Sequence, residues 1–274
     1  MKPDNRKRPR TVERQSKEPE WMDQWSRFQD DEKALFEEWI WPNKLDDFRG
    51  KTVLDCGCGG GQHMAFCAPY AKRVIGVDLN TAKLAGERNS SHPHCEVIEG
   101  DIANISFKEK FDIVYCIGVI HHTIDPDATF RNLVKFCKRG GRLIVWCYSL
   151  EGNWFVKWMI EPVKRYLFSK WKRSSLYHLA SIMTVMQYLG AYTFMRLIIF
   201  KWLPYYEYFM NFRRLSFNRN KLNTFDKLNA PTTHFISKDQ INSWFNSDMF
   251  SNVLMSSWRN VSWRTSGTLE SNVE

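Results

Sequence analysis

Short apolar runs bounded by turn residues recur through the first half of the chain. They predict strands at 52–56, 73–77, 95–100, 111–117 and 141–148. Between them, apolar residues at helical spacing predict helices over 61–70, 80–88 and 126–138. Arg139-Gly-Gly-Arg142 reads as a turn that stops the third helix and feeds strand five. Strands this uniformly apolar belong to a parallel sheet covered by helices on both faces. Upstream, Trp21 to Trp41 has helical spacing, with Trp25, Phe28, Leu35, Phe36 and Trp39 on or near one face and Pro42 as the stop. Its tryptophans read as core. Downstream, Ser237-Lys-Asp-Gln240 looks like a cap and first turn, with Trp244 and Phe245 inward. Phe250–Trp258 and Val261–Thr268 are two further strand-like stretches.

Residues 151–222 break the alternation. They carry twelve Lys/Arg against three acids, so their net charge of +9 equals that of the whole chain. They also hold 18 aromatics in 72 residues, against 23 in the other 202. This is a basic, aromatic, mostly helical unit placed after strand five. Within it, Leu179–Phe200 is 22 residues long with only Arg196 charged, near the length of a membrane span. Gln187, Tyr188, Tyr192 and Arg196 make it a poor one, and a buried lid helix is the expectation. The first twenty residues are polar and basic, read as a disordered arm with no apolar leader.

The most specific chemistry lies at the end of strand one, Val53-Leu-Asp55-Cys-Gly57-Cys-Gly59-Gly-Gly61. Alternating glycines let a ligand approach the backbone where no Cβ would fit. The dinucleotide fingerprint asks for a glycine where Gln62 stands. A carboxylate at Asp55 would repel a pyrophosphate and attract an ammonium group. Strand two ends at Asp78, placed to accept ribose hydroxyls, and strand three runs to Asp101, placed to accept from an adenine amino group.

Asp-x-Gly-x-Gly-x-Gly followed by Asp78 and Asp101 resembles the class I S-adenosylmethionine-dependent methyltransferases, of the methyltransferase type 11 kind. The likeness is strong over 45–149 and weak over 232–266. It implies an α/β fold with a doubly wound, seven-stranded, mostly parallel sheet, its last hairpin antiparallel, and a helical lid insertion after strand five. The implied units are a basic arm at 1–20, a cofactor-binding core at 21–150, the lid at 151–235, and a closing helix and hairpin at 236–274. By the same resemblance, Gly57, Gly59 and Gly61 lie along the methionine part of S-adenosylmethionine and Asp55 near its amino group. Asp78 with Leu79 meets the ribose, Asp101 with Ile102 the adenine, and Gly118 closes the pocket. A helix at the position of Trp21 to Trp41 flanks that pocket in the family.

Strand four ends at Gly118-Val-Ile-His121-His122-Thr-Ile-Asp125, beside strand one at the point where doubly wound sheets bind ligands. Methyl transfer to a hydroxyl needs an aligned oxygen and a group to take its proton. Histidine suits that near neutral pH, so His121 and His122 are candidate bases, with Asp125 to orient one of them. His234 is another candidate, in a loop before the last helix. Neither histidine of the pair ranks first. Packing against the cofactor is the plainer role for both.

Seven cysteines, all between 56 and 147, read as small core residues in a reducing cytoplasmic compartment. Cys56-x-Cys58 has no second pair, so no metal is expected. The expected function is O-methylation of a small or lipid- or carrier-linked acceptor, anionic or glycosidic, with peripheral membrane contact through 151–222. Arg213-Arg214 and Lys170, Lys172 and Arg173 could each hold a phosphate. Nucleic acid ranks lower because the insert carries no nucleic-acid motif. An RNA or tRNA methyltransferase, or a silent methyltransferase-like binding subunit, are the alternatives.

Overall fold

A computed structural model describes residues 19–28, 32–168, 171–193, 201–202 and 205–270. Most of the expected basic arm, the end of Leu179–Phe200 and the last four residues fall outside the described residues.

Seven strands form one sheet: β1 (Thr52–Cys56), β2 (Arg73–Asp78), β3 (Cys95–Glu99), β4 (Phe111–Ile117), β5 (Cys137–Tyr148), β6 (Phe250–Trp258) and β7 (Ser262–Leu269). Their spatial order is β3-β2-β1-β4-β5-β7-β6. The first five pair in parallel, and β7 joins β5 and β6 antiparallel. The chain order reverses between β1 and β4, so their carboxyl ends frame a crevice.

The uniformly apolar strands predict burial on both faces, and both faces are covered. One core layer holds Leu54, Val114, Cys116, Val145 and Phe130. The other holds Val53, Val74, Ile113, Tyr115 and Phe36. Cys56, Cys116 and Cys147 are fully buried, and all seven thiols are free. Burial pushes the Cys116 and Cys147 thiols far up, so they sit in the core as small neutral groups.

Helices α3 (Gln62–Cys67), α4 (Ala82–Arg88) and α5 (Pro126–Phe136) connect the parallel strands. Ring stacking of Phe130 on Trp244, with centroids 4.9 Å apart, ties α5 to the late helix Lys238–Trp244. Ser237 caps that helix as expected, accepting from the Gln240 N–H at 3.1 Å. The Arg139-Gly-Gly-Arg142 segment differs from its expectation. The helix does stop, at Phe136, but strand pairing begins at once, with Cys137 opposite Phe111. Gly140 then adopts φ +75, and the register slips between Phe111 and Ile113. The two glycines make an irregularity inside β5 rather than a turn before it.

The expected helix from Trp21 to Trp41 is two helices, α1 (Pro19–Arg27) and α2 (Lys33–Ile40). Leu35, Phe36 and Ile40 bury α2 in the sheet core. By contrast, α1 joins the insertion. Phe28 and Trp25 pack with Leu176, Ala180, Leu222 and Phe225. The insertion itself is helical: a wide-turned helix over 154–168, then Arg173–Tyr192, Tyr206–Phe212 and Phe217–Asn229. Of the stretch Leu179–Phe200, expected to be a buried lid helix, the part within the Arg173–Tyr192 helix is only half buried. Leu176, Ala180, Thr184 and Ala191 face inward while Ile182, Val185, Met186 and Leu189 face out. Among the described residues, no helix is long and apolar enough to cross a membrane.

Candidate functional site: a groove over the glycine turn

Gly57 and Gly59 follow β1 with φ of +87 and +52, a region that L side chains rarely adopt. A Cβ on Gly57 would lie 2.5 Å from the Val119 methyls, and one on Gly59 2.7 Å from the Trp25 indole. Both glycines therefore leave room at the groove wall that no other residue would. The turn is pinned from below. Val77 O accepts from the N–H groups of Gly57 and Cys58 at 2.8 and 3.0 Å, and Asp78 Oδ2 accepts from Gly59 N–H at 2.9 Å. Burial raises the Asp78 pKa, while the Thr81 hydroxyl and the turn's N–H groups hold it down. Gly61 has a different role. Its Cβ would meet Asn89 Nδ2 at 2.5 Å and the Ala85 backbone at 2.9 Å, so it seats α3 against α4 and lines neither cavity of the groove.

Two adjoining cavities, about 130 and 50 Å³, share Gly57, Asp78, Val119 and His122. The smaller is lined by Leu79, Asp101, Ile102 and Thr123. Leu79, Asp101 and Ile102 are among the residues expected at the ribose and adenine; Thr123 was not expected. Asp101 also holds its own loop, accepting from Ala103 N–H at 2.9 Å and Asn104 Nδ2 at 2.5 Å. The larger cavity is lined by Gly118, Trp146 and Tyr148 from the sheet, and by Leu222, Asn223 and Asp226 from the Phe217–Asn229 helix. Trp21, Gln24 and Trp25 of α1 close it over. Both tryptophans line the groove, and Trp25 also packs on the apolar cluster of the insertion.

Asp55 corrects its expected place. Its side chain is fully buried, lines neither cavity, and accepts a hydrogen bond from the Tyr115 hydroxyl at 2.9 Å. Burial pushes its carboxyl up to about 8, against the pull of Tyr115, so it is mostly protonated near neutral pH. An ammonium group in the groove would find no charge there.

The histidine pair divides its roles. His121 is wholly buried, stacked 4.2 Å from both Tyr148 and His122, with neither ring nitrogen hydrogen-bonded. Burial holds it neutral, its pKa well below the ordinary value. His122 lines both cavities. Its Nδ1 lies 2.8 Å from the Thr232 carbonyl, which can only accept, so Nδ1 carries the proton and Nε2 keeps a lone pair. Nε2 has no hydrogen-bond partner and lies 3.9 Å from Asp226 Oδ2. Burial lowers the His122 pKa, and Asp226 with Thr232 pulls it partly back.

Asp226 is held from two other sides. Gln24 Nε2 donates to it at 3.0 Å and the Tyr148 hydroxyl at 3.1 Å. It was invisible in the sequence, since no motif surrounds it and it lies 104 residues beyond His122. Asp125, expected to orient a histidine, instead caps α5 by accepting from Ala128 N–H at 2.9 Å. His234 stands away from the groove as well. Its N–H donates to His121 O at 2.7 Å, and its ring lines a separate depression with Asp125 and Glu161. Of the basic residues expected to hold a phosphate, Lys170 lies outside the described residues, Lys172 is exposed, and the three arginines are used within the fold. Arg214 meets Glu38 at 3.0 Å, Arg173 meets Glu20, and Arg213 lies 5.2 Å over the Tyr192 ring. Among the described residues, no group of three His, Cys, Asp or Glu side chains could hold a metal.

Residues 54–145 match the family model described as a methyltransferase domain. By that match, this stretch is a methyltransferase domain. It spans β1 to β5 and so contains the glycine turn, Asp78, Asp101 and the histidine pair. The chain is 37% identical over 110 residues to phosphoethanolamine N-methyltransferase 1 of Triticum aestivum, covering 38% of this chain and 22% of that protein. It is 31% identical over 131 residues to the ubiquinone biosynthesis O-methyltransferase of Pseudomonas syringae pv. tomato, covering 45% and 55%. Against the tRNA U34 carboxymethyltransferase of a Sulfurovum species it is 30% identical over 116 residues, covering 39% and 37%. The matched stretch is thus at most about half the length of these relatives. A chain in the complex of the Haloferax volcanii Trm112 methyltransferase activator with a methyltransferase shares the fold, with TM-score 0.56, 12% identity, and coverage of 94% of this chain and 99% of that one. The acceptors of the relatives differ.

Proposed function

We propose that the protein transfers a methyl group from S-adenosylmethionine to a hydroxyl of a small or carrier-linked acceptor, with His122 as the proton acceptor. The cofactor fits the groove by the chemistry of its lining. Gly57 and Gly59 bring bare backbone to the larger cavity, and the Asp78 carboxyl group faces both cavities while Leu79 and Ile102 offer apolar contact. When bound, S-adenosylmethionine supplies an electrophilic methyl on a sulfonium.

The observation that carries the reading is the bare Nε2 of His122. Its tautomer is fixed by Thr232, and Asp226 lies 3.9 Å away to stabilise the imidazolium once a proton arrives. An acceptor hydroxyl held in the larger cavity would give its proton to Nε2 as its oxygen takes the methyl group from the sulfonium, so His122 would end as the imidazolium beside Asp226. Trp39, Trp146, Tyr148 and Leu222 give the acceptor end an aromatic and apolar wall that excludes water.

Tritiated S-adenosylmethionine, incubated with the protein and a metabolite and lipid extract from a strain lacking it, tests this. Label should enter the small-molecule or lipid fraction, and His122→Gln should lose at least a hundredfold of that rate while binding the cofactor normally by calorimetry. Label entering RNA instead would overturn the acceptor class. Cofactor binding with no labelled fraction would favour a silent subunit, and unchanged transfer by H122Q would remove the base.

A further inference from the structure

The 154–168 helix is built inside out for a helix in water. Its charged pair faces the protein: Glu161 and Lys164 are 8% and 5% exposed and ion-paired at 2.7 Å. Its large apolar side chains face away. Trp158 is 66% and Tyr166 86% exposed, with Trp154, Met159, Val163 and Leu167 also about half exposed or more. A surface helix ordinarily does the reverse, with its apolar stripe inward. Contiguous exposed apolar surface on this scale marks an interaction site.

Charge identifies the occupant. The insert that carries this helix has the whole chain's net charge of +9. On the helix, the Lys157 ammonium lies 5.3 Å over the Trp158 ring, and exposed Lys172 follows just beyond it. Tryptophan and tyrosine beside lysine is the composition that settles at a bilayer's headgroup level, with apolar rings at the acyl boundary and ammonium groups among anionic phosphates. Stacking on single-stranded bases would use aromatics too, but it would not account for Met159, Val163 and Leu167.

We propose that the outer face of the 154–168 helix seats the protein on an anionic membrane surface, without crossing it. Docking is independent of the catalytic reading, because the helix lines neither cavity of the groove. Flotation of the full chain with phosphatidylcholine vesicles, with and without phosphatidylglycerol, tests it. The chain should float with the anionic vesicles and do so less in high salt. The double variant Trp158→Glu with Tyr166→Glu should reduce the bound fraction at least tenfold. Both sites are exposed, so the variant should keep its unfolding temperature and its cofactor affinity, which separates lost docking from lost folding. Absence of flotation, flotation unchanged in the variant, or retention of a single-stranded RNA that the variant loses while vesicles bind nothing would each overturn the proposal.

Discussion

The groove and the insertion are two solutions to placing polar groups. Around the glycine turn, the Asp55 and Asp78 carboxyl groups are held by a neighbour fixed in a strand or by backbone N–H groups. Asp78 pins Gly59, and Asp55 is bonded to Tyr115 on the adjacent strand. Strand pairing sets these positions, so they tolerate little. In the insertion, helices meet across a small apolar cluster, leave apolar faces uncovered, and bury charge as an ion pair. A sheet-bound site fixes the donor, while loosely packed helices can be reshaped around an acceptor or a surface. Asp226 joins the two. It reaches from the insertion to within 3.9 Å of a histidine that belongs to the domain core.

Breaking the groove side of this comparison should have the largest effect. Gly57→Val forces a side chain into the Val119 methyls at φ +87, and cofactor affinity should fall more than a hundredfold by titration calorimetry. That is about 3 kcal/mol or more. The joint comes next. Asp226→Asn keeps the shape but removes the charge near His122, so turnover should fall roughly tenfold to a hundredfold, or about 1.4–3 kcal/mol, with cofactor affinity unchanged. In the parent protein, transfer rate should fall with acidification only below pH 6.5, since burial lowers the His122 pKa and the neutral ring is the active form. The variant's profile should shift further toward acid, because Asp226 raises that pKa.

A third test sharpens the burial of Asp55. Its folded pKa of about 8 lies above the ordinary 3.8, so its contribution to stability is full below 3.8 and is lost as pH rises through about 8. His121 and His122 act in the opposite sense. Their lowered values add stability that is present above 6.5 and lost as pH falls through the lowered folded values. Asp55→Asn should therefore flatten the loss between pH 3.8 and about 8 and raise stability near pH 8 by about 2 kcal/mol or more, read by chemical denaturation across pH. A more stable parent at pH 8 would show the carboxylate to be charged and paired. The smallest effect belongs to the outer face of the insertion. Met186→Ser, on an exposed stripe, should change stability by less than about 0.5 kcal/mol, whereas Phe130→Ala in the sheet core should cost about 3–5 kcal/mol.

Much of the groove was legible because its signals are local. The turn follows its own strand, and Asp78 and Asp101 close the next two; the methyltransferase resemblance those residues carry then implied Leu79, Ile102 and Gly118 at the same crevice. Reading failed where direction mattered. Asp55 occupies the expected strand position, but its side chain points to Tyr115 and away from the ligand. Gly61 packs on α4, and Asp125 serves the helix it starts. The expected long helix from Trp21 hid the most consequential division, since one half covers the groove and the other fills the core.

The sequence by itself determined the parallel strands and the order of their ends, and it carried the resemblance on which the proposed methyl donor rests. Each rests on neighbours along the chain: an apolar run, then a turn, then an acid. Only the tertiary structure decided which histidine keeps a bare nitrogen, that Asp226 stands beside it, and that the 154–168 helix turns its tryptophans outward. Those depend on contacts between residues about a hundred positions apart, and on which face of a helix packs. Local spacing carries neither kind of information.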